Sequence, residues 1–407
     1  MKKQIMALLA LAVAQVGLAQ EETSATLYGY VRGEFAFDSR QVVAAREGNY
    51  IDLASPVNKV NGKDLNANPN FNGWGVESRL GVKIAGPEFF GMKSEALIES
   101  HFFGSSDASI NTLALRHAYV KLSSDKVEWL VGQFWHPMFV TNVSPRTYNF
   151  NAGSPFQPFN RSPQIRFSTK GNARLTLAAI TERDFASVGG KANLSALPAF
   201  HAQLQFGNDD KFVGGFGANY KSLKSGLRGE YFGAFTFLAY AKAKLGQNSA
   251  WQIYADYGQN PSELLQLGGV AVDAKGKYKS NNTLALWTEF YGDFTPSFEW
   301  GIFGGYSKDF GFSKNTTPSA TKFGQMADII NPLTGKVEGQ YLAGTPISTW
   351  RVSPRVGWKS GNTKLTAELD YTSTTYGAWD TNLKTKKYAQ DATAGNFRVS
   401  LSLIQNF

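Results

Sequence analysis

The sequence predicts an all-β chain that closes into a transmembrane antiparallel barrel of about sixteen strands. Three observations carry this: segments with an apolar and a polar face at period two, connections that alternate between tight and long, and the character of the two chain ends. The last fourteen residues show the first most plainly. Phe397, Val399, Leu401, Leu403 and Phe407 share one parity, and Arg398, Ser400, Ser402 and Asn406 the other. A strand edge left bare with a terminal aromatic invites pairing with other chains, whereas a last strand zipped to the first leaves no edge.

Reading alternation and turn residues together gives sixteen candidate strands. They span about 25–37, 74–85, 92–103, 112–122, 126–135, 163–170, 173–182, 199–207, 211–221, 226–246, 249–259, 281–293, 297–308, 347–360, 363–375 and 394–407. In the first, Leu27, Val31, Phe35 and Phe37 oppose Tyr30, Arg32 and Glu34. In the second, Val76, Leu80, Val82 and Ile84 oppose Glu77, Arg79 and Lys83. Near the end, Leu365, Ala367, Leu369 and Tyr371 oppose Lys364, Thr366, Glu368 and Asp370, and Trp350, Val352, Val356 and Trp358 oppose Arg351, Ser353, Arg355 and Lys359. Pro354 removes a ladder donor in mid-strand, for which the pattern offers no account. Segment 126–135 is apolar on both parities, so its facing stays open.

Between these segments, Gly86–Gly91, Ser123–Asp125, Gly171–Asn172, Asn208–Asp210, Thr295–Pro296 and Gly361–Asn362 read as tight turns. They alternate with long connections at 38–73, 136–162, 183–198, 260–280, 310–346 and 376–393. Short periplasmic turns and long external loops give this asymmetry, and an even strand count puts both ends on one side of the membrane.

The N-terminus reads as a secretory signal: Lys2 and Lys3, an apolar run from Ile5 to Val16, and a small-residue site with cleavage expected after Ala19. Domain organisation is therefore expected to be a signal peptide over 1–19 and one barrel over 20–407. The chain has no Cys, which excludes a disulfide framework and a lipid-modified cysteine. No later stretch approaches the roughly 18 apolar residues of a spanning helix. A mean hydropathy of −0.26 does not argue against a barrel, because only alternate residues meet lipid. With 41 Gly, 30 Phe, 17 Tyr and 9 Trp, the composition supplies turns and interfacial aromatics.

The 136–162 connection is rich in Pro, Asn and aromatic residues and carries Arg146 and Arg161. Such a segment is costly to leave in water, and packed against an inner wall it would narrow a pore; the plain alternative is an ordinary external loop. Parity places Arg79, Lys83, Arg116, Arg166, Arg174, Arg351, Arg355 and Arg398 on the inner wall. Glu34, Glu77, Glu99, Glu289, Glu368 and Asp370 face the same way. Arginine on one side of a constriction and carboxylates on the other favour entry of anions, carboxylates or phosphates above all. The alternative is that these arginines pair with the carboxylates and merely keep the wall hydrated.

Catalytic signals are weak. His101, His117, His136 and His201 show no metal-ligand spacing, and no G-x-S-x-G elbow is present. The chain is read as a non-enzyme with no metal, no cofactor and no nucleic-acid partner.

Four segments, SRLGVK (78–83), LRHAYV (115–120), GQFWHPMF (132–139) and PFNRSPQIRF (158–167), resemble those of the DcaP-like trimeric porins of Gram-negative outer membranes. The resemblance is clearest over about 74–170. It implies a sixteen-stranded homotrimer, each protomer with its own pore for small, preferably anionic solutes, with Arg161 and Arg166 at or near the constriction. Family members can carry an N-terminal coiled coil. Only Gln20 to Ser24 separate the signal from strand one here, so a trimer would rest on the barrel's outer face.

The function expected is passive diffusion of small hydrophilic solutes across the outer membrane, with preference for anions such as carboxylates. Expected partners are the lipid bilayer, two further copies of the chain, and the outer-membrane assembly machinery acting through Phe407. The expected selectivity set is Arg79, Arg116, Arg146, Arg161, Arg166, Arg351, Arg355 and Arg398, with Glu34, Glu77, Glu99 and Glu368 as lumen acids. A different class of reading is a plugged structural or adhesive barrel whose loops bind an external partner.

Overall fold

The computed structural model describes residues 23–45, 47–104, 109–273, 277–312, 318–323, 328–330, 337–340, 345–379 and 388–407. The signal segment 1–19 and most of the 310–346 loop lie outside the described residues.

Sixteen strands form one closed antiparallel sheet. They are β1 (Ser24–Asp38), β2 (Asn70–Trp74 resuming as Arg79–Phe89), β3 (Met92–Phe103), β4 (Ile110–Ser123), β5 (Val127–Trp135), β6 (Arg161–Thr169), β7 (Ala173–Ile180) and β8 (Ala199–Asn208). There follow β9 (Phe212–Lys224), β10 (Tyr231–Lys244), β11 (Ser249–Gln259), β12 (Asn282–Thr295), β13 (Phe298–Gly311), β14 (Thr345–Ser360), β15 (Thr363–Trp379) and β16 (Tyr388–Asn406). Each pairs with its sequence neighbours. β16 returns to β1 in register from Tyr30↔Asn406 to Asp38↔Arg398, which closes the barrel and leaves no sheet edge. The described residues include no α-helix.

Exposure decides what alternation leaves open. Along β1, Leu27, Val31 and Phe35 are 57%, 60% and 56% exposed, while Arg32 and Glu34 are 7% and 2% exposed. The apolar parity is outside and the charged parity inside, the reverse of a water-soluble sandwich and the arrangement a barrel needs in lipid. The same holds on β14, where Trp350, Val356 and Trp358 face out and Arg351, Ser353 and Arg355 face in.

Three details depart from the sequence reading, and the facing of β5, which it left open, is decided. Val76 is not on the outer wall. β2 breaks at 75–78, where the Ser78 amide bonds the Gly75 carbonyl, and the turn swings Val76 into an inner cluster with Phe103 and Phe150. On β5, Trp129 and Val131 face out, but Gly132 at φ +130° resets the parity and turns Gln133 and Trp135 inward. Only glycine takes that backbone without strain, and a Cβ there would meet the Ala118 carbonyl at 2.3 Å. β10 begins at Tyr231 rather than 226, so 225–230 is a short connection at the loop end. β15 and β16 run past 375 and 394, pairing as far as Trp379↔Tyr388.

Pro354 also finds its explanation. It pairs with Ile302 on β13, whereas the β14–β15 ladder skips from Val352↔Tyr371 to Arg355↔Glu368. The missing amide is spent at this gap, and the Ser353 hydroxyl spans it by donating to Asp370.

Candidate functional site: the inner loop and the cationic vestibule

The segment 136–160 turns into the barrel, and its side chains explain why. Met138, Val140, Val143 and Phe156 are almost wholly buried in one apolar cluster with Leu238, Tyr254, Trp287 and Phe303 from the inner faces of β10–β13. Phe139, Phe150 and Phe159 join Tyr50, Val76 and Phe103 in a second cluster toward the loop end, with Trp135 stacked on Phe139 at 4.0 Å. Burying several aromatics, each worth about 1.5–3 kcal/mol, offsets the entropy of ordering the segment.

Specific bonds then fix its course. Trp287 Nε1 donates to Gln157 at 2.7 Å, Arg351 donates to the Ser154 carbonyl at 2.8 Å, and Arg32 to the Tyr148 carbonyl at 2.5 Å. Three wall carboxylates accept the loop's own donors. Glu289 takes the Arg146 amide at 3.2 Å, Glu368 takes the Tyr148 and Asn149 amides, and Asp370 takes the Asn149 side-chain amide at 2.8 Å. Two inner-wall glycines make the seat flat: a Cβ on Gly305 would lie 2.3 Å from Phe156, and one on Gly357 would lie 2.3 Å from the Tyr148 hydroxyl. That hydroxyl donates to Glu299, and burial together with this acceptor pushes the phenol up, so it stays protonated.

Every arginine of the expected selectivity set lies inside. Arg79 bonds Glu77 at 3.0 Å, Arg116 pairs with Glu99, and Arg161 pairs with Asp184 at 2.5 Å. Arg355 pairs with Glu289 at 2.6 Å and Arg398 with Asp38 at 2.6 Å. Arg351 is bound by Thr372 and the Ser154 carbonyl, and Arg166 by Gln164 and the Trp135 carbonyl. Of the expected acids, Glu34 pairs with Arg32 at 3.0 Å, Glu77 bridges Arg32 and Arg79, Glu99 serves Arg79 and Arg116, and Glu368 holds the inner loop. The two signs are thus interleaved at mid-barrel, not segregated to opposite sides. A charge removed from water at 0–5% exposure, as Arg398, Arg351 and Arg355 are, needs acceptors within hydrogen-bond reach.

Arg146 differs. Its guanidinium lies 4.3 Å from the Tyr291 ring and faces a cavity of about 550 Å³ between the inner loop and the turn ends of β10–β15. Six cations line it, Arg146, Lys242, Lys244, Arg355, Lys359 and Lys364, against Asp209, Asp293 and Glu299. Glu299 is bound by both Lys359 and Lys364, and Asp209 by Lys242 at 2.8 Å. The cavity therefore carries a positive excess. Its span, roughly 8 Å if treated as a cube, is about one Debye length at physiological salt, so the excess acts across all of it.

Sequence reasoning missed Lys242, Lys244 and Asp184. Period two was present for the lysines, since Ala239, Ala241 and Ala243 alternate with Tyr240, Lys242 and Lys244. Asp184 sits in a loop where parity says nothing.

No protein-family model matches the chain, and no curated protein matches it. Solved structures do. The outer-membrane channel DcaP of Acinetobacter baumannii superposes with a TM-score of 0.68 at 18% identity, over 96% of this chain and 99% of that one. The fold is that of an outer-membrane porin. A trimer form of OmpT, an outer-membrane protein of Vibrio cholerae, matches at TM-score 0.53 and 11% identity, over 95% and 100% of the two chains. An anion-selective porin from Comamonas acidovorans matches at 0.55 and 11%, with the same coverage. With the porin fold, the turn end of the barrel is the periplasmic end and the loop end the external one.

Proposed function

We propose that this chain is a passive porin of the Gram-negative outer membrane, non-enzymatic, which admits small hydrophilic solutes and prefers anions. The observation that carries the preference is the periplasmic vestibule, with six cations to three carboxylates and an arginine of the inner loop at its wall. Arg146, at the vestibule wall, touches permeating anions, whereas Arg355 is buried against Glu289. Arg79, Arg116, Arg161, Arg166, Arg351 and Arg398, with Glu34, Glu77, Glu99 and Glu368, hold the aperture. The 136–160 segment is the constriction. A homotrimer, a cleaved signal over 1–19 and assembly guided by Phe407 complete the reading, and the trimeric OmpT structure with the same fold supports the first of these.

Reversal potentials in a planar bilayer under a KCl gradient test it. Anion preference is expected, and replacing Arg146, Lys244 and Lys364 by Gln should move the potential toward zero. Cation preference in the wild type would end the anion reading. A plugged structural or adhesive barrel is the second reading, favoured by the two apolar clusters that the inner loop builds inside the barrel. Such a barrel would insert and show no steady current.

A further inference from the structure

Three loop-end connections meet on one aromatic of the inner loop. Phe159 is 1% exposed, and its ring lies 5.7 Å from Tyr50 of the 39–69 connection and 6.4 Å from Phe185 of the 181–198 connection. Its amide donates at 2.8 Å to the Leu264 carbonyl of the 260–273 segment, and Leu265 packs on the same cluster. Leu264 itself is buried in the other apolar cluster, beside Met138 and Phe156. Phe159 stands just before β6, at the loop end of the barrel, so the three connections reach it from that side.

Their fastenings differ. The 39–69 connection is seated deeply: Tyr50, Leu53 and Ala54 are buried, the Tyr376 hydroxyl donates to the Ala54 carbonyl at 2.5 Å, and Arg398 donates to the Gly48 carbonyl at 2.7 Å. The other two are held by polar bonds that converge on one side chain. Lys221, from β9 and 4% exposed, donates to the Asn260 carbonyl at 2.5 Å, to the Ser187 hydroxyl at 2.8 Å and to Glu263. Ser187 in turn donates to Glu182 at 2.5 Å. The side-chain amide of Asn160, next to Phe159, donates to the Glu263 and Phe185 carbonyls at 2.6 and 3.3 Å. The two connections also interlock, since Gly189 at φ +81° sits where a Cβ would lie 2.1 Å from Val270 Cγ2. A buried charge holds only while its partner stays in reach, so losing Lys221 leaves Glu263 uncompensated and frees both connections.

We propose that Phe159 is the seat of a gate at the external mouth. With 181–198 and 260–273 clasped onto it by Lys221, and Tyr50 closing from the third side, entry to the constriction is shut. Release of the two clasped connections opens it. Elements held by a few exchangeable polar bonds belong to the low-stability end of a fold, where opening motions are found. The inference rests on the porin reading and deepens it: passage is set by a closing mouth as well as by the fixed inner loop.

The test is single-channel recording from the full-length barrel, with heat-modifiability on gels confirming that each variant is folded. The wild type should open from a closed baseline. Phe159→Ala and Lys221→Gln should each raise the fraction of time open about tenfold by shortening the closed intervals, a shift of the order that one charged hydrogen bond gives a two-state population. Because the chain has no Cys, the gate can also be locked. Lys191 and Lys224 pair backbone to backbone in both directions, at 3.0 and 3.4 Å. Such a pair puts the Cα atoms about 5.5 Å apart, within disulfide reach. Lys191→Cys with Lys224→Cys, oxidised, should hold the mouth shut, and dithiothreitol should restore the wild-type openings. Current in the wild type that either substitution leaves unchanged, or that the oxidised pair does not reduce, would overturn the gate and leave the porin reading standing. Silence of the wild type and of every variant would overturn both.

Discussion

Gly305 is where the account of the inner loop is most exposed to test. Its inner face is covered by Phe156, which is fully buried between Phe303 at 6.1 Å and the Arg351 guanidinium at 5.5 Å. A methyl added by Gly305→Ala would lie 2.3 Å from Phe156 Cδ2, 2.4 Å from Cγ and 3.0 Å from Cβ. Carbon atoms pack at about 3.5–4.0 Å, so the ring and its Cβ must retreat by roughly 1 Å. Phe156 is held on its far side by the Met138–Val143 cluster, so the retreat lifts the loop off the wall and strains the Ser154 bond to Arg351. Overpacking of this kind costs about 1–3 kcal/mol. Urea titration of the barrel in micelles should show that loss, and single-channel records should show altered conductance with more open-state noise. Gly304 offers the control, because it points outward with nothing within 4 Å. If Gly305→Ala behaves like Gly304→Ala in both assays, the loop is not seated on this wall and the constriction must lie elsewhere.

Other expectations follow from the same geometry. Trp287→Ala removes the hydrogen bond to Gln157 and the largest fully buried side chain, and should cost about 3–5 kcal/mol by urea titration. Glu289→Gln leaves Arg355 without its carboxylate and loosens the Arg146 amide; reversal potentials should move further toward anions while the midpoint of unfolding falls. His136, in the inner loop, is buried beside His201, Arg166 and Lys221, which holds its imidazole well below the usual histidine value. The unfolded chain therefore takes a proton near pH 6.5 that the folded chain refuses. Its contribution to stability is full above that pH and is lost as pH falls below it. His136→Asn should flatten the fall in unfolding midpoint between pH 7 and pH 5.

The barrel was legible because a lipid-facing wall imposes period two on every strand. The register of β14, β15 and β16 could be read directly, with Arg351, Glu368 and Arg398 on the inner side. Parity fails wherever the backbone resets it. The turn at 75–78 sent Val76 inward, and Gly132 reversed the facing of β5, because neither a strand break nor a positive φ leaves a mark in hydrophobic alternation. The candidate site was legible in composition and not in pairing. Arg398 and Asp38 are 360 residues apart, and Arg161 at the start of β6 meets Asp184 only because the connection after β7 folds back beside it. The inner loop announced itself through its prolines and aromatics, yet the wall that receives it, with Gly305, Gly357, Trp287 and Glu368, becomes visible only once strands far apart in sequence stand side by side.

The most direct measurement is single-channel current from the purified barrel in a planar bilayer at symmetric salt. A water-filled path past the 136–160 segment requires discrete, long-lived openings whose size rises with salt concentration, and larger openings when residues 138–156 are deleted. A barrel that resists detergent extraction as a folded, heat-modifiable species, inserts, and passes no steady current would contradict the porin reading and leave the plugged barrel in its place.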